Sequence, residues 1–336
     1  MQDKISREDT GGERDRNMLN MLKESGFYRG VNLGGWMSQC DYTEERLDGF
    51  VKEEDFAVIA DWGLDHVRIP VDYNIVQKPD GTLLEDGFRR IGRALRWCEK
   101  YGLRAVLDLH KAQGFSFDPG EREAGFFESE RYQELFYGLW AAFAERFGGR
   151  KDVLMFELLN EVTEERYLGP WMRIARECVR RIRETAPEIR ILLGSFHHNG
   201  AREVQCLDPP FDSRVLYNFH CYEPLRFTHQ GAHWDTGLDP ADRFTFKESG
   251  ASEAFFQELF ASAVLKARRE GTELYCGEYG VIDVVPPEEA LPWFRAIHAA
   301  FEKYGISRSV WSYRNMDFGL ADRRMDGVRK ELLRYL

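Results

Sequence analysis

The chain has 336 residues, 43% of them hydrophobic and 31% charged, with 57 Asp and Glu against 46 Lys and Arg and a net charge of −11. This balance excludes a disordered chain, and the acidic excess argues against nucleic acid, whose binders cluster Lys and Arg to displace counterions. No stretch approaches 18 consecutive apolar residues, so no membrane partner is expected.

The first 25 residues, beginning MQDKISREDTGGERDRNMLN, are polar and are expected to lie across the outside of the domain. They lack the apolar core of a secretory signal, which places the chain in the cytoplasm unless a leader has been removed from a secreted form. Short β-rich runs then alternate with amphipathic stretches. The strand-like runs are Tyr28–Leu33, His66–Val71, Arg104–His110, Val153–Asn160, Arg190–Phe196, Val215–Tyr222, Glu273–Tyr279 and Ser309–Tyr313. Helical patterns cover Glu53–Trp62, Phe88–Tyr101, Tyr132–Phe147, Trp171–Thr185, Glu253–Arg269 and Glu288–Tyr304. In Tyr132–Phe147 the side chains of Leu135, Phe136, Leu139, Trp140 and Phe143 recur at three- and four-residue steps.

Strand–helix alternation implies parallel β/α units, and eight strands without a hairpin imply a (β/α)8 TIM barrel, an α/β fold. An open doubly wound sheet would bring a GxGxxG turn, and the cluster Gly30, Gly34, Gly35 has the wrong spacing. Residues 26–336 therefore read as one barrel, with an extended β6–α6 loop over the active-site face at about 223–250. Cys40, Cys98, Cys178, Cys206, Cys221 and Cys276 show no metal-like spacing and read as free thiols of a reducing compartment. The oligomeric state is left open by the sequence.

Barrel enzymes work at the C-terminal ends of their strands. Those ends carry Arg68, Asp108 and His110, Asn160 and Glu161, His220 and Tyr222, Glu278 and Tyr279, and Trp311. Polar groups gathered on one rim cost stability unless a site uses them. Glu161 and Glu278, on strands four and seven, face one another as a glycosidic bond requires: one carboxyl protonates the leaving oxygen, the other stabilises the anomeric centre. Asp108 and Glu157 read instead as structural partners for Arg side chains or backbone amides. His197 and His198 raise a metal site, but no compact ligand spacing supports one, and no cofactor or metal is implied.

Seven segments in order, RGVNLGGW, DHVRIPVDY, DLHKAQG, FELLNEV, NFHCYEP, LYCGEYGV and VWSYRNMDF, resemble glycoside hydrolase family 5, in the clan of (β/α)8 retaining glycosidases. FTHQGAHW narrows the resemblance toward compact endoglucanases of the endoglucanase C type. The resemblance implies Glu161 as general acid/base and Glu278 as nucleophile, oriented by Arg68 and Tyr222. It also implies Asn160 at the sugar 2-hydroxyl, His110 and His220 lining the cleaved sugar's subsite, and Trp311 as the platform beneath that sugar. Asn32, Trp36 and, in the long loop, Trp234 are further candidates for sugar contact.

The implied activity is retaining endo-β-glucanase on β-1,4 or mixed β-1,3/1,4-glucan, with polysaccharide or oligosaccharide as partner. An exo-acting β-1,3-glucanase or β-glucosidase-like hydrolase, and a carbohydrate-binding barrel without turnover, are the alternatives. The chain departs from the family pattern at Lys111, where a second His is usual, at SFHHNG (residues 195–200), and in a shorter sixth-strand insertion.

Overall fold

A computed structural model describes residues 21–118, 120–234 and 237–336. Eight strands pair in parallel in chain order and close into a barrel: β1 (Arg29–Asn32), β2 (His66–Asp72), β3 (Arg104–Lys111), β4 (Leu154–Glu157), β5 (Arg190–Leu193), β6 (Val215–Cys221), β7 (Leu274–Tyr279) and β8 (Ser307–Val310). Each overlaps its predicted run. The outer ring contains α1 (Glu53–Asp61), α2 (Glu85–Lys100), α3 (Glu130–Phe147), α4 (Leu168–Thr185), α5 (Glu253–Glu270) and α6 (Pro287–Tyr304). Between β5 and β6 the ring departs from strict repetition: a 3-10 turn, Ala201–Cys206, packs on α5. Local chemistry sets the ends of α5, where the Ser252 hydroxyl accepts from Phe255 N–H and Gly271 closes the helix at φ 66°.

Successive strand residues alternate faces, so each strand serves two environments. Ile69, Leu107, Leu109, Phe156, Ile191, Leu193 and Phe219 join the main core under the helices. Val106, Met155, Leu192, Leu216 and Tyr275 face the other way, and with Leu22 and Phe27 they form a separate apolar floor inside the barrel.

That floor corrects the expectation for the N-terminal segment. Met21–Glu24 is a turn of helix whose Leu22 is fully buried, as is Phe27 just after it. The polar character of residues 1–25 masked one apolar side chain, Leu22, which with Phe27 just beyond them covers the open end of the barrel. The other predicted surface residues, 1–20, lie outside the described residues. Leu22 N–H donates to Glu273 Oε2 at 3.0 Å, joining the plug to the start of β7.

Asp235 and Thr236 of the long β6–α5 connection lie outside the described residues. Gln230 ties its two arms: the side-chain amide donates to Phe227 O and Phe244 O, and Oε1 accepts from Phe244 N–H at 2.7 Å. Ile282 N–H donates to Thr228 O, anchoring the connection beside the end of β7.

Burial pushes the Glu273 carboxyl up to about 7 from an ordinary 4.5. The native state then binds more protons than the unfolded chain, so this group makes stability fall as pH rises between those two values. Glu273→Gln should flatten that slope, stabilising by up to about 3 kcal/mol above pH 7 and changing little below pH 4.5. Thermal unfolding followed by circular dichroism from pH 4 to 8 measures it; an unchanged slope would contradict the assignment.

Candidate active site

Above the apolar floor the barrel axis turns polar, and Arg68 of β2 lies at its centre, fully buried. Its Nε and Nη2 donate to the two oxygens of Glu157 at 2.7 and 2.8 Å. Nη1 donates to Asn32 Oδ1 at 2.9 Å and to Glu278 Oε1 at 2.7 Å. Nη2 also reaches Asn160 Oδ1 at 2.9 Å and Asp108 Oδ2 at 3.1 Å. Burial alone would lower the guanidinium pKa, but Asp108, Glu157 and Glu278 overcome it and raise it. Only a planar fork of donors can serve so many oxygens at once. Asp108 and Glu157 thus partner an Arg side chain, as their strand positions suggested.

The inward aim of Glu278 depends on a bulge. β6 and β7 pair Phe219 with Cys276 and then His220 with Glu278, leaving Gly277 as an extra residue. Tyr275 faces the axis and Tyr279 the helices, so with Gly277 paired in a regular ladder Glu278 would face outward. Gly277 has no room for a side chain, since a Cβ would lie 2.9 Å from Asn218 Oδ1 and from His220 Nε2. Glu278 Oε2 accepts from the Tyr222 hydroxyl at 2.8 Å. Burial and the facing Glu278 raise the Tyr222 pKa far above the ordinary 10, keeping that O–H available as a donor.

Glu161 follows the end of β4 and sits between two imidazoles. His220 Nδ1 lies 2.7 Å from Oε1, and His198 Nδ1 lies 2.8 Å from Oε2. Burial would raise this carboxyl, but the two histidines outweigh it and hold Glu161 below the usual carboxylate range. Conversely, burial would lower His220, yet Glu278 and Glu161 raise it above the ordinary 6.5. One ligand atom each of Glu161, His220 and Glu278 lie within 4.8 Å of one another. Such a set can hold a cation, although the Arg68 guanidinium already supplies positive charge beside Glu278.

The remaining predicted residues divide. His110 Nδ1 lies 2.6 Å from Asp108 Oδ2, and its ring is parallel to that of Trp311 with centroids 5.8 Å apart. Burial pulls His110 down to about 4, leaving a neutral imidazole. Gly34 backs the Trp311 ring closely: a Cβ there would lie 2.8 Å from Trp311 Cη2. Trp234 is exposed in the long loop, beside His229, which in turn meets the Tyr222 ring edge-on.

Two expectations are corrected. Trp36 is fully buried, and its indole N–H donates to Leu47 O at 2.9 Å, because the turn at Gly34 and Gly35 folds the chain back into the core. Asn32 is also fully buried; its amide NH2 donates to Gly277 O and its Oδ1 serves Arg68, leaving nothing for a sugar.

The sequence reading missed two residues. Asn218, one turn of alternation below His220, bridges Glu157 Oε1 and Gly277 N–H; only its inward register in NFHCY signalled it. His198 was weighed as a metal ligand and meets Glu161 instead. Lys111, where the family carries a second His, is buried and paired with Glu121.

Removing Arg68 would leave three buried carboxylates without their shared cation. Arg68→Ala should destabilise by about 3–5 kcal/mol, a loss urea unfolding would register. Arg68→Lys, with a point charge in place of the fork, should recover only part of it.

Known proteins resemble this chain. The family described as Cellulase (glycosyl hydrolase family 5) matches residues 26–317. Cellodextrinase A of Ruminococcus flavefaciens is 58% identical over 86% of each chain, and Endoglucanase C of Acetivibrio thermocellus is 35% identical over 92% of this chain and 98% of its own. Among solved structures, the cellulose synthase subunit Z of Clostridioides difficile superposes with a TM-score of 0.79 at 26% identity, covering 92% of this chain and 99% of that one. The chain belongs to glycosyl hydrolase family 5.

Proposed function

We propose that this chain is a retaining endo-β-glucanase acting on β-1,4-linked glucan, with Glu278 as nucleophile and Glu161 as general acid/base. The observation that carries the reading is the separation: an oxygen of Glu161 and an oxygen of Glu278 lie within 4.8 Å. Retaining enzymes hold their carboxyls about 5–5.5 Å apart, whereas inverting ones leave about 6.5–9.5 Å for a water.

In the first step a Glu278 oxygen attacks the anomeric carbon, the glycosidic C–O bond breaks, and Glu161 gives its proton to the departing oxygen. In the second, Glu161 takes a proton from water, whose oxygen attacks the same carbon and releases Glu278. Arg68 and Tyr222 orient the Glu278 oxygens throughout. The acid step needs a protonated Glu161, and the neighbouring His220 holds such a proton 2.7 Å away. Moving it from Nδ1 to Oε1 neutralises both partners without changing the total charge.

Cleft residues fit a glucan in the same reading. Asn160 has its Oδ1 committed to Arg68, which leaves its NH2 to donate to the sugar 2-hydroxyl. His110 and Trp311 offer a neutral imidazole and an indole beside the cleaved sugar, and Trp234 offers an exposed face farther along. The Ruminococcus relative, the more similar of the two, bears the name of a cellodextrinase, which favours short β-1,4 oligosaccharides over long chains as a second reading.

Glu278→Gln should abolish hydrolysis of every substrate. Glu161→Ala should lose about 10²–10⁴-fold in kcat/KM on cello-oligosaccharides, yet stay within about tenfold on dinitrophenyl cellobioside, whose leaving group needs no acid. Azide should raise kcat of that variant by attacking the glycosyl-enzyme; equal losses on both substrates would refute the acid assignment. Reducing ends and product lengths from cello-oligosaccharides, carboxymethylcellulose, barley glucan, laminarin, xylan and mannan separate the substrate readings. Rapid viscosity loss in carboxymethylcellulose is expected of endo action, and release of short products from cellodextrins alone would favour the second reading.

A further inference from the structure

The turn that follows β5 places on Glu161 a side chain that the reaction above does not use. His197, His198 and Asn199 take left-handed backbone conformations in succession, at φ 48°, 55° and 56°. Residues other than glycine are uncommon there, and three together persist only where the surroundings hold them. His198 N–H donates to Val162 O at 3.0 Å, fastening the turn to the residue next to Glu161. Gly194 makes room for buried Asn199, whose Oδ1 would lie 2.2 Å from a Cβ at that glycine.

Glu161 needs such support because it stands beyond the β4 ladder, which ends at Glu157. The last backbone bond before it joins Asn160 N–H to Leu109 O at 3.1 Å. A carboxyl on a three-torsion side chain, held by His220 through Oε1 alone, can still rotate about its final bond. A second hydrogen bond on Oε2 fixes the plane. The two imidazoles differ in setting: the His220 side chain is 2% exposed and that of His198 is 53% exposed. Each carboxylate oxygen keeps another lone pair, on which the proton destined for the glycosidic oxygen can sit. Misplacement of a reacting group by about 1 Å can cost on the order of 10²-fold in rate.

We propose that His198 is a positioning residue for the acid/base carboxyl, fixing Glu161 from the solvent side of the cleft and acting through that carboxyl, not through contact with sugar. The proposal rests on the reading of Glu161 as acid/base.

Two substitutions separate the imidazole from the turn that carries it. His198→Gly removes the side chain at a backbone conformation glycine accepts freely. His198→Asn also tolerates the left-handed region, and its amide Nδ2 occupies the place of the imidazole Nδ1. The readout is kcat/KM, which reports the first step, for aryl cellobiosides of graded leaving-group pKa that carry no sugar on the leaving side.

His198→Gly should lose at least about tenfold on the poorest phenol and less than about twofold on dinitrophenol, so the Brønsted slope steepens. His198→Asn should recover most of the wild-type slope. An equal loss across the series, or a slope unchanged while cellotetraose hydrolysis falls, would overturn the proposal in favour of a structural turn or a sugar contact. His198→Asn behaving no better than His198→Gly would overturn it as well. Glu161→Ala, run in parallel, should show the steepest slope; a flat series for that variant would overturn the acid/base reading and this proposal together.

Discussion

A single buried guanidinium organises the interior of this barrel. Arg68 has five N–H donors in one plane, and β1, β3, β7 and the end of β4 bring to it Asn32, Asp108, Glu278, Glu157 and Asn160. Taking one cation and three carboxylates out of water is expensive, and the arrangement is tolerable only because nearly every donor finds an oxygen at hydrogen-bond distance. Apolar fillings of equal volume often match or exceed the stability of such a cluster. Such a filling would give Glu278 no fixed partner and Asn160 no fixed orientation.

The apolar layers on either side meet that cost. Below the polar layer, Leu22 and Phe27 close the floor against Val106, Met155, Leu192, Leu216 and Tyr275. Outside, the helices cover the opposite strand faces with an extensive aromatic and aliphatic core. Each strand therefore carries three kinds of information: outward residues specify packing, lower inward residues specify the floor, and upper inward residues specify chemistry. The two candidate carboxyls inherit different surroundings from this plan. Glu278 is held by a guanidinium and a phenol, Glu161 by two imidazoles. A pair with unlike surroundings is what a two-step displacement needs, since the two groups must differ in proton content at each stage.

Most of this was legible in the sequence because parallel strands buried on both faces read as apolar runs, and the polar residues that interrupt them fall at strand ends. Arg68, His110, Glu161, His220, Tyr222 and Glu278 could thus be placed on one rim before any coordinates. What was illegible turned on local backbone direction. Trp36 follows two glycines, and nothing in GGW says whether the chain runs on along the rim or folds back into the core, as it does. Asn32 sits one alternation too low to reach a sugar, a distinction of a single residue in strand length. His198 escaped because its aim comes from three consecutive left-handed residues; His and Asn enter that region more readily than most side chains, but nothing in SFHHNG says that three in succession do so. Leu22 was hidden by averaging over a polar segment, although one apolar side chain there, with Phe27 just after it, completes the floor.

The bulge in β7 makes the reactive face of that strand a matter of counting. Cys276 and Glu278 belong to opposite faces only because Gly277 stands between them without a partner on β6. A deletion of three bases at Gly277 would leave the composition almost untouched and would not add or remove a single charge. It would also leave Glu278 facing the axis, because Glu278 would then follow Cys276 directly in a regular ladder and Tyr279 would stay among the helices. What would turn the carboxylate outward is the opposite change: taking Gly277 into the ladder opposite His220, so that every later side chain of β7 changes face with no residue altered.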